Sequence, residues 1–483
     1  MRARCKLFFI FATLTCLLSC DKNSNPWPAI AKADLDYIKL MVEQNHAGYV
    51  DPNNPQFKTL LDEHYKNVIN QLKYVNSVFD VMNLENEFIA SFADVHVSID
   101  WRISSSFPTW TGVKLERHNQ KYIVAKVMDN WPVNQPSLGS ELISCDGRTT
   151  TEIMNDDILR YRNANYDVEY PRVRFASKLL IDDGIGYRKR AEKCIFRDSS
   201  NNEAAFTLRW QPLGNHLTAE WDAGIIQPSS FSIEQLSSTV SWVRMPGFDP
   251  EGDELEKFNK LLKSLADLSA KSDNTIVFDL RGNGGGHLGV QVSLLQAVYG
   301  TPAIMTLFPK QISENKPLLR VSSFYIKRLQ EGIDTSGASI MEDALKQGLP
   351  FVKLVQHFEL GAADKRSVED IRKSTPRLVV LTDHFCASAC LIFTNMVLHE
   401  PKNLHIGKTT YADSVYSYTF SKSPFELPSK LGVFILPLAI FGANGPIIPS
   451  IEFEGDINNS DALKEWFLKL NLPSQNDSVH ERK

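Results

Sequence analysis

The chain reads as an α/β protein, and three changes of period carry that reading. From Asp34 to about Ala93 apolar residues recur at three- and four-residue spacing, among them Leu35, Ile38 and Val42, as a helix with one buried face requires. From about Pro108 to Trp221 short β runs such as Lys121–Val127 alternate with turns. From about Ser238 strand-like and helix-like stretches follow one another, which is the pattern of a mixed or mainly parallel layered sheet. The expected organisation is a helical region over 34–100, a β domain over 101–225 and an α/β domain over 226–470. A leader (1–20) and tether (21–33) precede these, and a polar tail (471–483) follows.

The leader begins with Arg2, Arg4 and Lys6 and continues as an apolar run from Leu7 to Leu18, so it is left out of fold reasoning. Leu17-Leu18-Ser19-Cys20 resembles a bacterial lipobox, which implies lipidation at Cys20, export, and a mature chain tethered to a membrane in the cell envelope. An ordinary signal peptide or a signal anchor is the alternative. The net charge of −5, with 43% hydrophobic and 23% charged residues, is that of an ordinary globular protein. No basic field points to nucleic acid. Asp21–Pro28 is a short polar tether with two prolines, and Pro52 and Pro55 punctuate the first helix pair.

In the β region, Gly139-Ser140-Glu141-Leu142-Ile143-Ser144-Cys145-Asp146-Gly147 reads as a hairpin with an Asp-Gly turn. It also resembles the hairpin of PDZ domains, which would expose a sheet edge to a peptide. Cys145 and Cys194 are available to pair in an exported protein.

In the α/β region, Val240–Met245 reads as a strand and Leu255, Phe258, Leu262, Leu265 and Leu268 as the face of a helix. The strand Ile276-Val277-Phe278-Asp279-Leu280 runs into Arg281-Gly282-Asn283-Gly284-Gly285-Gly286. Residues 301–374 read as an insertion with one long polar helix over 321–345, expected to be a solvated excursion rather than a lid. The buried strand Leu378–Leu381 then turns through Thr382-Asp383-His384-Phe385-Cys386-Ala387-Ser388 into a helix from Ala389. A serine hydroxyl at such a corner sits beside unpaired helix N–H groups, which favour negative charge. With a glycine turn beside it, the corner can frame a nucleophile and an oxyanion hole.

These two segments resemble the C-terminal processing (tail-specific) and tricorn-core serine peptidases, with a strand ending Asp-Leu-Arg-Gly-Asn-x-Gly-Gly and a Ser-Ala-Ser-Ala-Ser corner whose middle serine is the nucleophile. The resemblance implies a ClpP/crotonase-like layered domain, a helical N-terminal region, a PDZ-like β domain, and hydrolysis of peptide bonds in a peptide or protein substrate without a metal or other cofactor. Here the corner is Cys386-Ala387-Ser388-Ala389-Cys390, so only Ser388 is kept. The flanking cysteines are expected to be small buried groups replacing serines. Gly284 or Gly285, with the Ala389 N–H, would form the oxyanion hole.

The lysine that serves as base in the processing branch falls on Asp413. Lys408 lies five residues out of register, roughly 15 Å along an extended segment. In the tricorn-like branch the base is a histidine, and Phe92-Ala93-Asp94-Val95-His96 matches its Asp-x-His context. His96 is therefore expected to activate Ser388. The serine and glutamate that accompany that histidine are missing: Val95 precedes His96, and 444–450 hold no carboxylate. Asp413, Asp94 and Glu452 are the candidate orienting acids, with Asp413 placed nearest the nucleophile by the family frame. Two readings follow: an exported serine endopeptidase using Ser388, His96 and Asp413, or a degenerate peptidase fold that binds peptides or envelope partners.

Overall fold

The computed structural model describes residues 25–103, 108–187, 189–214, 230–308, 317–331, 335–353, 363–417, 423–441, 445–470 and 472. The leader with Cys20 and the tail over 473–483 lie outside the described residues.

Three helices, Trp27–Asn45, Phe57–Ile69 and Val78–Ala90, open the chain. Leu35, Ile38 and Val42 are fully buried, as the helical period predicts. The first helix begins at Trp27, so the expected tether is corrected over 27–33. Pro26 caps that helix and Pro28 lies in its first turn, where a missing N–H costs no intrahelical bond. The third helix is capped by Ser77, whose side chain accepts from the Asp80 N–H. The strand Ser98–Trp101 then pairs antiparallel with Gly432–Leu436, tying the helical region to the far end of the chain.

The middle region is an antiparallel sheet of Val113–His118, Lys121–Val127, Glu141–Cys145, Lys193–Arg197 and Glu203–Thr207, in that order. Asp146 (φ 47°) and Gly147 (φ 81°) make the expected two-residue turn, whose twist matches the flanking strands. Cys145 stands opposite Cys194 on the neighbouring strand, and the two form a disulfide across 49 residues.

The third region is built on a sheet in the order Ser232–Gln235, Val240–Arg244, Thr275–Asp279, Arg377–Thr382, Leu404–Gly407, Ile451–Glu452. The first strand is antiparallel and the rest are parallel. Successive side chains point to opposite faces, and both faces are covered. Ile276, Phe278, Leu378 and Val380 meet Phe258, Leu265, Leu294 and Phe393 from three helices, Asp253–Ser269, Leu288–Tyr299 and Ala389–Leu398. Val277, Val379 and Leu381 meet Leu463 and Phe467 of the helix Ser460–Leu468. Burial on both sides explains why these strands are continuous apolar runs instead of alternating ones.

The segment over 301–374 departs from expectation. Two helices, Ser323–Glu331 and Thr335–Lys346, stand where one was expected, flanked by the short strands Leu318–Arg320 and Phe351–Lys353. Tyr325, Ile326 and Met341 are buried in the same apolar cluster as Leu35, Phe88 and Phe434. The segment is packed, not solvated, because its helices are amphipathic and the N-terminal helices offer an apolar face to cover.

Candidate active site

Ser388 occupies the N-cap of the helix Ala389–Leu398 with φ 52° and ψ −122°. A side chain in this region costs about 1–3 kcal/mol and persists only where the surroundings enforce it. Its hydroxyl does not cap its own helix, and the side chain is half-buried, so it remains reachable.

The glycine turn supplies the enforcement. A Cβ on Gly285, at φ +106°, would lie 2.8 Å from the Ser388 Cβ and 2.9 Å from the Ala389 nitrogen. Only glycine allows this approach. Asn283 holds the turn: its Nδ2 donates to the Met245 carbonyl (3.1 Å) and its Oδ1 accepts from the Gly285 N–H (2.9 Å). The Gly285 N–H is thus already engaged, which corrects its expected place as an oxyanion donor. Gly285 contributes space instead, and Gly284 and Ala389 remain as donors of the expected hole. The Ala389 N–H belongs to the first turn of its helix and has no intrahelical acceptor.

The turn before Ser388 is laced to the same glycines. Asp383 is buried and accepts from the Gly282 and Phe385 N–H groups (both 2.9 Å). Burial pushes its carboxyl up to about 6 against those bonds. Asp279 lies among the Arg281, Arg244 and Trp242 side chains, which pin the end of its strand.

The cysteines require a correction. Cys386 and Cys390 are buried, as expected, but they are joined in a disulfide. The helix starting at Ala389 brings them to a Cα–Cα distance of 5.3 Å, within the range a disulfide needs. The bridge straddles Ser388. The Cys386 carbonyl also accepts from the Tyr411 N–H (3.1 Å), which ties the corner to the segment carrying Asp413.

His96 follows the helix Val78–Ala90 and lies just before the strand Ser98–Trp101. Asp94 Oδ1 accepts from the His96 backbone N–H (2.9 Å) and meets its ring Nδ1 at 3.0 Å. The Asn163 side chain braces this turn by accepting from the Asp94 N–H (2.8 Å) and donating to the Asp94 and Val97 carbonyls. Asp413 Oδ1 stands 3.7 Å from the same Nδ1. The Ser388 backbone N–H lies near enough to this carboxylate to help lower its pKa. Asp413 therefore lies between the serine corner and the imidazole.

Asp94 is the closer of the two acids, a role the Asp-x-His spacing signals only once the turn is seen. Glu452, the third candidate, pairs with Lys408 at 3.2 Å instead. Burial alone would lower the His96 pKa. The Asp94 hydrogen bond, the Asp413 and Asp94 charges and the Tyr416 backbone carbonyl together push it up to about 9. Burial raises Asp413 as well, partly offset by His96 and by the Ser414 and Ser388 amides.

Two other histidines near these segments are otherwise engaged. His405 is buried against the Thr382 hydroxyl (2.7 Å), and His384 Nδ1 meets the Thr409 carbonyl (2.8 Å). A cleft of about 360 Å³, lined by Arg117, Glu169, Arg174, His384, Lys408 and Asp456 among others, includes neither Ser388 nor His96. Volume alone does not locate the chemistry here.

No curated protein matches this chain in sequence. Among solved structures, the mature form of CPAF matches with a TM-score of 0.59 at 12% identity, covering 92% of this chain and 97% of the other. Mature CPAF complexed with lactacystin gives 0.59 at 13% identity, covering 91% and 98%. At such identity the likeness is one of fold. Residues 239–434, which carry the glycine turn, Ser388 and Asp413, match the model of peptidase family S41. Over that stretch the chain is similar to the S41 serine peptidases.

Proposed function

We propose that this protein is an endopeptidase in which Ser388 attacks a peptide carbonyl while His96 accepts the hydroxyl proton. The Gly284 and Ala389 N–H groups then hold the oxyanion, the amine leaves with the proton carried by His96, and water hydrolyses the acyl-enzyme. The observation that carries this reading is the strained Ser388 at a helix N-terminus against the glycine turn, with the His96 ring held between Asp94 and Asp413. Asp94 holds the ring's Nδ1, so the proton must arrive at the other nitrogen. As it stands the imidazole is held as a cation, and it has to lose that proton before it can serve as base.

A fluorophosphonate probe tests the reading. We expect a covalent adduct on Ser388, cleavage of a casein-derived peptide mixture, and loss of both in Ser388→Ala. Cleavage that persists in Ser388→Ala would sink it. A second reading, peptide binding without turnover on a degenerate site, is favoured by the cationic state of His96. Peptide binding with no adduct at any pH up to 10 would establish it instead.

The layered domain is read as ClpP/crotonase-like and the antiparallel domain as PDZ-like, with Val113–His118 at one edge of its sheet. Export with lipidation at Cys20 is supported by the leader and by two disulfides, which persist in oxidising compartments. Metabolic labelling with a palmitate analogue, lost in Cys20→Ala, checks the anchor.

A further inference from the structure

A second buried histidine lies close enough to Asp94 to feel its charge. His46 follows the first helix and is 1% exposed. Its ring stacks on Phe57 (centroids 4.8 Å) and meets Tyr416 edge-on (5.0 Å). Its tautomer is set by a neighbour: Nδ1 accepts from the Gly48 N–H at 2.9 Å, so the proton of the neutral ring resides on Nε2. Burial lowers this imidazole to about 4, which keeps it neutral.

The Nε2–H has no partner among the described residues. The same holds for Asp94 Oδ2, the carboxylate oxygen not used by His96. His46 and Asp94 line one cleft of about 130 Å³, walled by Phe57, Phe92 and Tyr416. A buried donor and a buried acceptor left unpaired each cost about 1–3 kcal/mol, and pairing them removes both penalties. The two residues are also close enough for the Asp94 charge to act on the His46 ring.

We propose that His46 is a positioning residue for the base: a small turn of either side chain pairs its Nε2–H with Asp94 Oδ2, and this pair governs how strongly Asp94 holds the proton of His96. A carboxylate that receives a hydrogen bond pulls less on the imidazolium opposite, so the donor moves His96 toward the neutral form that catalysis needs. The inference rests on the reading of His96 as the base. The other titratable groups around this pair are Asp413 on the nucleophile side, Asp51 behind the Tyr416 hydroxyl, Tyr411, and His64 on the helix Phe57–Ile69.

The test is the titration of His96 followed by histidine-selective NMR on the full chain, which needs no activity. In His46→Phe the ring packing stays and the donor is lost; the His96 midpoint should rise by about half a pH unit or more. In His46→Gln, whose amide reaches the ε position, it should stay within about 0.2 units of wild type. If His46→Phe does not fold, His46→Asn against His46→Gln makes the same comparison, since Asn can still accept from Gly48 but lacks a donor at the ε position. An unmoved midpoint in the donor-less variant, or the same rise in His46→Gln, overturns the proposal. Fluorophosphonate labelling of wild type is run alongside: if Ser388 never acylates, the peptidase reading fails while the titration still decides the role of His46.

Discussion

The two halves of the candidate site are built on different principles. The serine half is local and rigid. One parallel sheet delivers the glycine turn and the Ser388 corner on neighbouring strands, Thr275–Asp279 and Arg377–Thr382. A disulfide, a strained backbone and a glycine without room for a Cβ then hold the Ser388 backbone in place. The histidine half is assembled from afar. His96 and Asp94 come from the end of the helical region, Asp413 and Tyr416 from a segment more than 300 residues later, and Asn163 from the β domain. Ser388 is fixed by covalent and steric constraint, His96 by charge and hydrogen bonding. The first should respond to changes in shape and the second to changes in pH.

The largest expected effect breaks the comparison at its centre. Ser388→Ala should abolish fluorophosphonate labelling altogether, and His96→Ala should slow it by about 10²–10⁴-fold, the usual worth of a general base. Gly285→Ala forces a methyl against Ser388 and should lower acylation at least about tenfold and stability by about 1–3 kcal/mol, read as a lower denaturation midpoint. The corresponding change at Gly284, where a Cβ meets no atom within 4 Å, should leave stability within about 1 kcal/mol. This contrast separates crowding from general fragility of the turn.

A sharper probe of the histidine half is pH-dependent stability. The folded-state pKa of His96 is raised above its ordinary value of 6.5, so the stability it contributes is fully present below about 6.5 and is lost as pH rises through about 9. Denaturant midpoints should fall across that window in wild type and fall less in His96→Gln. The smallest effect on the site should come from Cys145→Ala/Cys194→Ala. Opening that 49-residue loop should cost up to about 4 kcal/mol on the chain-entropy account and leave Ser388 acylation within about twofold.

The serine half was legible in the sequence because its determinants are contiguous: an apolar strand, a turn and a helix start, with the glycines about a hundred residues earlier doing the same. The Asp-x-His motif drew His96 out of the sequence as a candidate as well. What stayed hidden was pairing. The four-residue spacing of Cys386 and Cys390 becomes a bridge only once the helix is known to start at Ala389. The engagement of the Gly285 N–H by Asn283 depends on a side-chain rotamer that no periodicity reports. The packing of 318–353 onto the N-terminal helices was missed for a related reason, since Tyr325, Ile326 and Met341 are too few to mark a core until the surface they cover is in view. His46 carried no motif at all; its tautomer and its unpaired Nε2 exist only in three dimensions.

The most direct test of the central claim is the rate of Ser388 acylation by a fluorophosphonate from pH 6 to 10, in wild type and in His96→Ala. If His96 is the base and must first lose its proton, the wild-type rate climbs about tenfold per pH unit and levels near pH 9, and the variant shows a low rate without that step. The same rate and the same pH profile in both proteins would contradict the account.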